Sequence, residues 1–557
     1  MNPFELINDR LGMEIARLMP RILTQASRDP NSATFGSFDR DWWHYRIRDF
    51  PSIILQQAAW TVWLAAELPE FQGEREALTR LAAAGCRFWN ARAIRHGAFE
   101  EYYPWECGYP AGAFSARAVM QLVEAGVIER EEVRPGAAVF AQQFSSRLEN
   151  QAGNQQVAGL AALALIRNAF PELVSAEQFE RQASRTLALQ DEEGWYQEYG
   201  GPDLAYLAVT LDALWDLFDA TGDSRFYQSA GRALRFMHPY LATFGGNIGM
   251  MNSRNTDYIL PYGIVRFMQD GNSAEKSIAG ALFISLFEHL NEPEHFVHAI
   301  DDRYLCHYTG HSLLRAWSLL KRLNPAALPM PSETLAGEKW FKNAGHLLTC
   351  APTGSAVGEE PRFSTLLALK KGGVFTAISG RLRISDFGWV AVVGRQQYVN
   401  HWWADDWESS RDGLAVTVKG KLVPTTETIS TPWKHFALRI MSLVLGERLI
   451  PKLKAVLIFK KRRSGYAFER KIACQPHQII VHDEISGLPA GARIEQAPRS
   501  SKRHVSSADS FHFEDLRLAS GISLEETTCF QNGIFRRDGI YRFESLPYEI
   551  NHPNSVL

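Results

Sequence analysis

The sequence predicts a protein of α+β multidomain class, with an N-terminal incomplete (α/α) toroid followed by a C-terminal antiparallel β-sandwich. Three observations carry that prediction. Up to about residue 325 apolar residues recur at helical spacing in about twelve successive segments. Between 326 and 343 lies a proline-containing stretch that reads as a linker. From 344 to 557 the pattern alternates with a period of two. The 557 residues also exceed what one ordinary core organises.

Taken in order, helices are expected near 4–24, 51–68, 74–93, 111–126, 130–147, 152–169, 175–190, 203–220, 224–242, 258–269, 273–290 and 309–323. In the first, Phe4, Ile7, Leu11, Ile15, Leu18 and Ile22 mark one face. Turn residues such as Ala220-Thr-Gly-Asp-Ser224 and Phe244-Gly-Gly-Asn-Ile248 separate the later ones. A solenoid of tetratricopeptide type would repeat with a fixed period near 34 residues, and none is found, so a ring of helix hairpins is favoured. Strands are expected at 363–369, 373–379, 389–393, 414–418, 455–459, 466–472 and 478–485, with one helix at 432–449 among them. A weakly patterned tail after Pro498 holds short strand candidates around Phe511 and Ile540.

Composition excludes several function classes. Apolar residues make up 46% and charged residues 22%, and a net charge of −3 gives no reason to expect nucleic-acid or broad membrane-surface binding. No apolar run approaches the ~20 residues that span a bilayer. The six cysteines form no CxxC pair and read as reduced, buried thiols. The first residues lack a basic region followed by an apolar run, which places the protein in the cytoplasm as an expectation. Walker A, Rossmann glycine and GxSxG patterns are missing, so nucleotide-dependent and serine-hydrolase readings lose support; no cofactor and no metal site are expected.

The stretch 194–212 organises the functional reading. Its turn, Gly194-Trp-Tyr-Gln-Glu-Tyr-Gly-Gly-Pro-Asp203, runs into an apolar helix and gathers Trp195, Glu198, Tyr199, Asp203 and Tyr206. Rings cover sugar faces while carboxylates and phenols bond hydroxyls, so the turn suits a carbohydrate site. Similar aromatic and acidic loops precede helices at 99–106 and 252–258, and in a ring all three fall at one end.

Other clusters each carry two readings. Arg40-Asp-Trp-Trp-His-Tyr-Arg-Ile-Arg-Asp49 is either a salt-bridged tie or a sugar contact. Glu100, Glu101, Tyr103, Trp105 and Glu106 offer paired carboxylates for acid–base work, or a ligand-holding loop. Asn154 and Gln155, within Asn150-Gln-Ala-Gly-Asn-Gln-Gln156, offer neutral donors to a carboxylate at a helix N-terminus, or Asn154 simply caps the helix. Arg254 presents a fork that matches a carboxylate, beside Asn255 and Tyr258, or it anchors its loop through Asp257. In the β half, His401 and Trp402 precede Asp405 and Asp406, a weak metal spacing. His307 and His311 stand four apart without an HExxH frame and read as core histidines.

The layout resembles the heparinase II/III-like and alginate-lyase-like polysaccharide lyases over most of the chain. The resemblance is carried by domain order and by Glu101-Tyr-Tyr-Pro-Trp-Glu106, Asn154-Gln-Gln, residues 193–203 and His401. The first three of these look like those of heparinase II/III-like proteins associated with surface-polysaccharide production. The family implies β-elimination at a uronic acid. By that resemblance Asn154 and Arg254 neutralise the carboxylate, Tyr206 or Tyr258 serves as phenolic acid or base, and His401 is a second base. A phenol titrates near 10, and Arg254 is the cation expected to lower it. Two departures count against secreted degradation and a metal: no signal peptide, and no His-x-His-x-Asp run around His401. The expected partner is an acidic polysaccharide or oligosaccharide. The alternatives are a glycoside hydrolase using Glu106 with Asp203 or Glu198, and a non-catalytic glycan-binding protein of surface-polysaccharide assembly.

Overall fold

Asn2 opens the first helix by accepting a hydrogen bond from the Phe4 N–H at 2.9 Å, and a proline follows at the first helical position. The resulting helix α1 (Pro3–Gln25) buries the predicted face of Phe4, Ile7, Leu11, Ile15, Leu18 and Ile22. The computed structural model describes residues 2–246, 248–323, 335–351, 363–380, 382–413, 415–425, 431–457, 459, 463–498, 511–512 and 522–543. They divide into a helical unit and a β unit.

Among the described residues the helical unit continues through α2 (Ala58–Leu64), α3 (Arg75–His96), α4 (Tyr109–Glu124), α5 (Arg130–Phe144), α6 (Gly153–Ala169) and α7 (Ala176–Leu187). It is completed by α8 (Leu204–Thr221), α9 (Ser224–Phe244), α10 (Tyr262–Asp270), α11 (Ser273–Phe287) and α12 (Gly310–Arg322). The even-numbered helices form the inner circuit: α2 packs on α4, α4 on α6, α6 on α8, α8 on α10, α10 on α12, and α12 back on α2. The odd-numbered helices lie outside them, each against an inner neighbour.

Sequence pattern sorts the two layers. In α6 every residue from Gly153 to Ile166 is buried, as expected of a helix covered on all sides. Outer α7 buries only Phe179, Gln182, Ala183 and Thr186 and is fixed at its start by a Ser175/Gln178 capping box. Midway along the inner helices, Arg117 of α4 and Arg315 of α12 both bond Asp216 of α8, at 2.7 and 2.5 Å. Burial acts to raise the Asp216 carboxyl, and the two guanidiniums outweigh it and hold it below its usual range.

The β unit contains β1 (Gly337–Phe341), β2 (His346–Cys350), β3 (Ser364–Ala368), β4 (Val374–Ser379) and β5 (Leu382–Asp386) as one antiparallel sheet in that order. Next come β6 (Trp389–Val393), β7 (Gln396–Val399), β8 (Glu408–Asp412), β9 (Ala415–Lys421) and β10 (Val423–Thr425). The last strands are β11 (Ala467–Gln475), β12 (Gln478–Ser486), β13 (Arg493–Gln496), β14 (Ile522–Gln531) and β15 (Ile534–Phe543). They make a four-stranded sheet ordered β10-β7-β6-β13 and a six-stranded sheet ordered β14-β15-β12-β11-β9-β8. Leu367, Phe375 and Ile384 of the first sheet share one core with Phe468, Ile472, Ile479, Val481 and Ile485 of the third. Strict alternation brings charges into that core as well. Arg470 stands directly across from Asp483, and together with Asp386 and Arg537 these side chains are fully buried and mutually paired at 2.6–3.4 Å.

Several expectations change. Of residues 455–459, read as a strand from their branched apolar run, 455–457 end a helix, Phe459 follows it, and 458 lies outside the described residues. The predicted helix at 432–449 is α13 (Pro432–Leu445), and after one tighter turn the chain continues as α14 (Leu449–Leu457). Both helices belong to the helical unit although their sequence interrupts the β half. Residues 258–261 form no regular element, so the helix expected from 258 begins at Tyr262. The linker prediction overreached, because β1 begins at Gly337; residues 326–334 and Leu414 lie outside the described residues. Phe511 is in no strand, whereas Ile540 sits in the ten-residue β15. No helix of the described residues is long and apolar enough to cross a membrane.

Candidate functional site

Five loops lead into the N-termini of α4, α6, α8, α10 and α12, and hydrogen bonds stitch them into a circuit. Tyr109 at the start of α4 donates to Gln156 at the start of α6 at 2.7 Å. The Gly153 N–H donates to the Gln197 carbonyl at 2.8 Å, and the Tyr199 N–H to the Gln151 carbonyl at 2.7 Å. The Ser253 N–H reaches the Pro202 carbonyl at 2.9 Å, the Tyr258 and Tyr308 hydroxyls lie 2.6 Å apart, and Arg303 donates to Glu101 at 3.4 Å. Gly153 is required by this closeness: a Cβ there would stand 2.7 Å from the Tyr196 Cβ. Three of the loops hold a non-glycine residue in the left-handed region, Trp105 (φ 64°), Tyr199 (φ 57°) and Asn255 (φ 62°). Each such residue costs about 1–3 kcal/mol, offset by the surrounding bonds, and such strain gathers at ligand-holding loops.

Glu198 sits at the centre of the second and third loops. Its Oε1 accepts the Asn154 N–H at 2.7 Å, so a carboxylate 44 residues away caps the start of α6, and Asn154 itself is no cap. The Asn154 Nδ2, Gln155 Oε1, Glu198 Oε2 and Asp203 Oδ2 atoms are buried and make no hydrogen bond among the described residues. Gln155 Nε2 reaches the Tyr199 hydroxyl at 3.2 Å. Asp203 caps α8 through the Tyr206 N–H at 3.1 Å and accepts from the Thr256 hydroxyl. Arg254 lies with its guanidinium carbon 4.5 Å from the Tyr199 ring centre, a cation–π contact.

Electrostatics divide these groups into proton holders and fixed cations. Burial pushes the Glu198 carboxyl well up, opposed by the Asn154 N–H and by Lys454 and Arg254. Burial likewise raises Asp203. Burial raises Tyr206 and Tyr258 far above the ordinary phenol value, and neighbouring phenols add to it. Arg254 pulls Tyr206 down without overcoming burial, so the expected cation-activated phenolate is replaced by a firmly protonated phenol. Burial acts to lower Arg254, its surroundings outweigh that, and with an ordinary value far above neutral it stays charged. His307 has the opposite character: burial, aided by Arg303, holds its imidazole neutral.

Of the residues predicted for the site, the structure gathers Asn154, Gln155, Glu198, Tyr199, Asp203, Tyr206, Arg254 and Tyr258 here, with Asn255 on the same loop as Arg254. Others serve their own loops. Trp195 is buried and donates to Glu193 at 3.2 Å. Glu106 accepts the Glu101 and Tyr102 N–H groups at 2.7 and 2.5 Å. Trp105 is exposed, and Tyr103 is half-buried on that loop. His401 and Trp402 belong to the β unit, where both are buried and Trp402 joins a small apolar core with Val399 and Val423.

A scan against protein-family models gives no match, and neither does a search of curated proteins. Among solved structures, heparan sulfate lyase HepC from Pedobacter heparinus is 9% identical with a TM-score of 0.36, over 96% of this chain and 80% of that one. The Lin0763 protein from Listeria innocua is 11% identical with a TM-score of 0.39, over 57% of this chain and 97% of that one. A family 76 glycoside hydrolase from a bovine Bacteroides thetaiotaomicron strain is 10% identical with a TM-score of 0.31, over 58% and 76%. None of these scores is high enough to bear on chemistry.

Sequence reasoning missed Tyr304, His307, Tyr308 and Lys454. The first three lie on the loop into α12, an aromatic and charged run like those already flagged at 99–106 and 252–258. The His307 ring centre is 5.0 Å from that of Tyr304, and the backbone at His307 leaves helical geometry (ψ −130°) inside a wide π-type turn. Its Nε2 is buried without a hydrogen bond among the described residues. Lys454 was hidden beside the segment read as a strand. Its ammonium meets Glu149 at 2.8 Å and lies 5.1 Å from the Tyr199 ring centre.

Proposed function

We propose that the chain is a polysaccharide lyase that cleaves a uronic-acid-containing polysaccharide by β-elimination. The observation that carries this reading is Arg254 on the face of Tyr199, with the protonated phenol of Tyr206 and the unbonded amide of Asn154 in the same cluster. Arg254 and Asn154 receive the uronate carboxylate, and neutralising it acidifies the C5 proton. His307, neutral and unbonded at Nε2, takes that proton. The freed electron pair forms the C4–C5 double bond, the C4–O bond breaks, and the Tyr206 hydroxyl gives its proton to the departing oxygen. His307 replaces His401 in this scheme.

A glycoside hydrolase is the second reading, supported by the buried carboxyls of Glu198 and Asp203 in one cluster, of which burial pushes Glu198 well up, as a general acid needs. The deciding experiment incubates purified protein with a panel of uronate polysaccharides and follows both ultraviolet absorbance and reducing ends. Absorbance of an unsaturated uronate, lost in Tyr206→Phe, is expected. Reducing ends without absorbance overturn elimination in favour of hydrolysis, and tight binding without turnover leaves a glycan-binding protein.

A further inference from the structure

Among the described residues, helix α13 meets the rest of the helical unit along one edge. Ser442 is buried and its hydroxyl donates to the Pro104 carbonyl at 2.7 Å, while Arg439 pairs with Asp49 at 2.5 and 2.9 Å. The opposite side is apolar and open. Trp433 is 81% exposed and Val444 75%, and Phe436, Ile440 and Leu443 are exposed between them. At 100° per residue these five side chains fall on one continuous stripe. Contiguous apolar surface of this size on a helix marks a contact with something outside the chain.

The charge around the stripe says what that contact is. From Thr431 to Arg463 the sequence holds nine Lys and Arg against a single Glu, although the whole chain carries −3. Lys434 lies on the flank of the stripe, and Arg448 and Lys452 follow it, all exposed. An apolar stripe with an aromatic at its start and cations beside it is the pattern of a helix lying in a lipid headgroup layer. Fourteen residues are too short to span a bilayer, so the helix lies along the surface. Pairing of two copies through this stripe would bring like charges together, and a helix exposed around more than half its circumference offers a ridge, not a groove for a peptide.

We propose that α13 binds the surface of an anionic lipid bilayer. Trp433, Phe436, Ile440, Leu443 and Val444 enter the headgroup boundary, and Lys434, Arg448 and Lys452 meet the lipid phosphates. Because Ser442 and Arg439 tie α13 to the loops at 101–106 and 44–52, binding holds the loop end of the ring at the membrane. This inference stands independently of the reaction the site performs.

The test is flotation of the full-length protein with vesicles of equal phosphatidylglycerol and phosphatidylethanolamine, compared with pure phosphatidylcholine vesicles, at low and high salt. The expected result is binding to the anionic vesicles that weakens with salt. Trp433→Ser with Val444→Ser should reduce it about tenfold or more, and Lys434→Glu with Lys452→Glu by about fivefold for each charge removed. Both variants alter exposed residues, and unchanged thermal melting will show that they fold. Absence of flotation with anionic vesicles overturns the proposal, as does flotation that the serine variant leaves unchanged. A dimer seen by sedimentation that the serine variant dissociates would assign the stripe to a second copy instead.

Discussion

The Arg254 guanidinium lies 4.5 Å above the Tyr199 ring, and that same ring lies 5.1 Å from the Lys454 ammonium. One aromatic residue, held at φ 57°, therefore stands beside both buried cations of the site. If Arg254 receives a carboxylate through its planar fork, a lysine cannot replace it. Arg254→Lys should lower kcat/KM about 100-fold on an acidic glycan, whereas Tyr199→Phe, which keeps the ring, should stay within about threefold. Steady-state kinetics on the substrate found in the polysaccharide screen will measure both.

Tyr206 and His307 have opposite tasks, and their variants should differ accordingly. Tyr206→Phe keeps shape and loses the proton, so kcat should fall about 10²- to 10⁴-fold with KM nearly unchanged. His307→Gln should lower kcat comparably. Since burial keeps His307 neutral well below its ordinary value, the rate should not fall as pH drops from 7 toward 6. A rate that collapses across that interval would place the base elsewhere.

Glu106 gives a stability prediction. Burial pushes its carboxyl up to about 8, with Glu101 adding to the rise and the Tyr102 and Glu101 N–H groups opposing it. The folded state therefore holds a proton that the unfolded chain releases near its ordinary value, and stability falls as pH rises between those two points. Glu106→Gln keeps the two accepted N–H bonds and removes the titration. Its stability measured by denaturant should change less between pH 5 and 8 than that of the natural chain, by up to a few kcal/mol.

In the β unit, Arg470→Met should cost about 3–5 kcal/mol, because it leaves Asp386 and Asp483 buried with one guanidinium between them. Burial acts to raise Asp386, and Arg470 and Arg537 outweigh it and hold it below its ordinary 3.8. Its contribution is thus complete above that value and is lost only on acidification below it. Urea titration at pH 7 and pH 3 will separate the two effects.

What the sequence made legible follows from physics that acts locally. Helical spacing of apolar residues is a local signal, so the ring helices could be placed along the chain, and the acidic aromatic loops at one end of a ring. Contacts made at long range were not legible. Nothing near Asn154 shows that Glu198 would accept its N–H, and nothing near Arg470 shows that its inward position is shared with Asp386 and Arg537. His307 and His311 looked equivalent at helical spacing. The backbone departure at His307 separates them, leaving His311 stacked on Trp60 at 4.4 Å and His307 among the site phenols. Lys454 was lost because the branched run beside it, Ala455-Val-Leu-Ile-Phe459, imitates a strand.

The pairing of Lys454 with Glu149 spans 305 residues. During synthesis at about 5–20 residues per second, Glu149 waits on the order of 15–60 s for Lys454 to be made. Until then Glu149 has no Lys454 to compensate it, and Tyr199 lacks one of its two neighbouring charges. A chain that stops anywhere in the intervening β sequence would carry helices α1–α12 and still lack the Lys454 ammonium beside Glu149 and Tyr199 at the loop end.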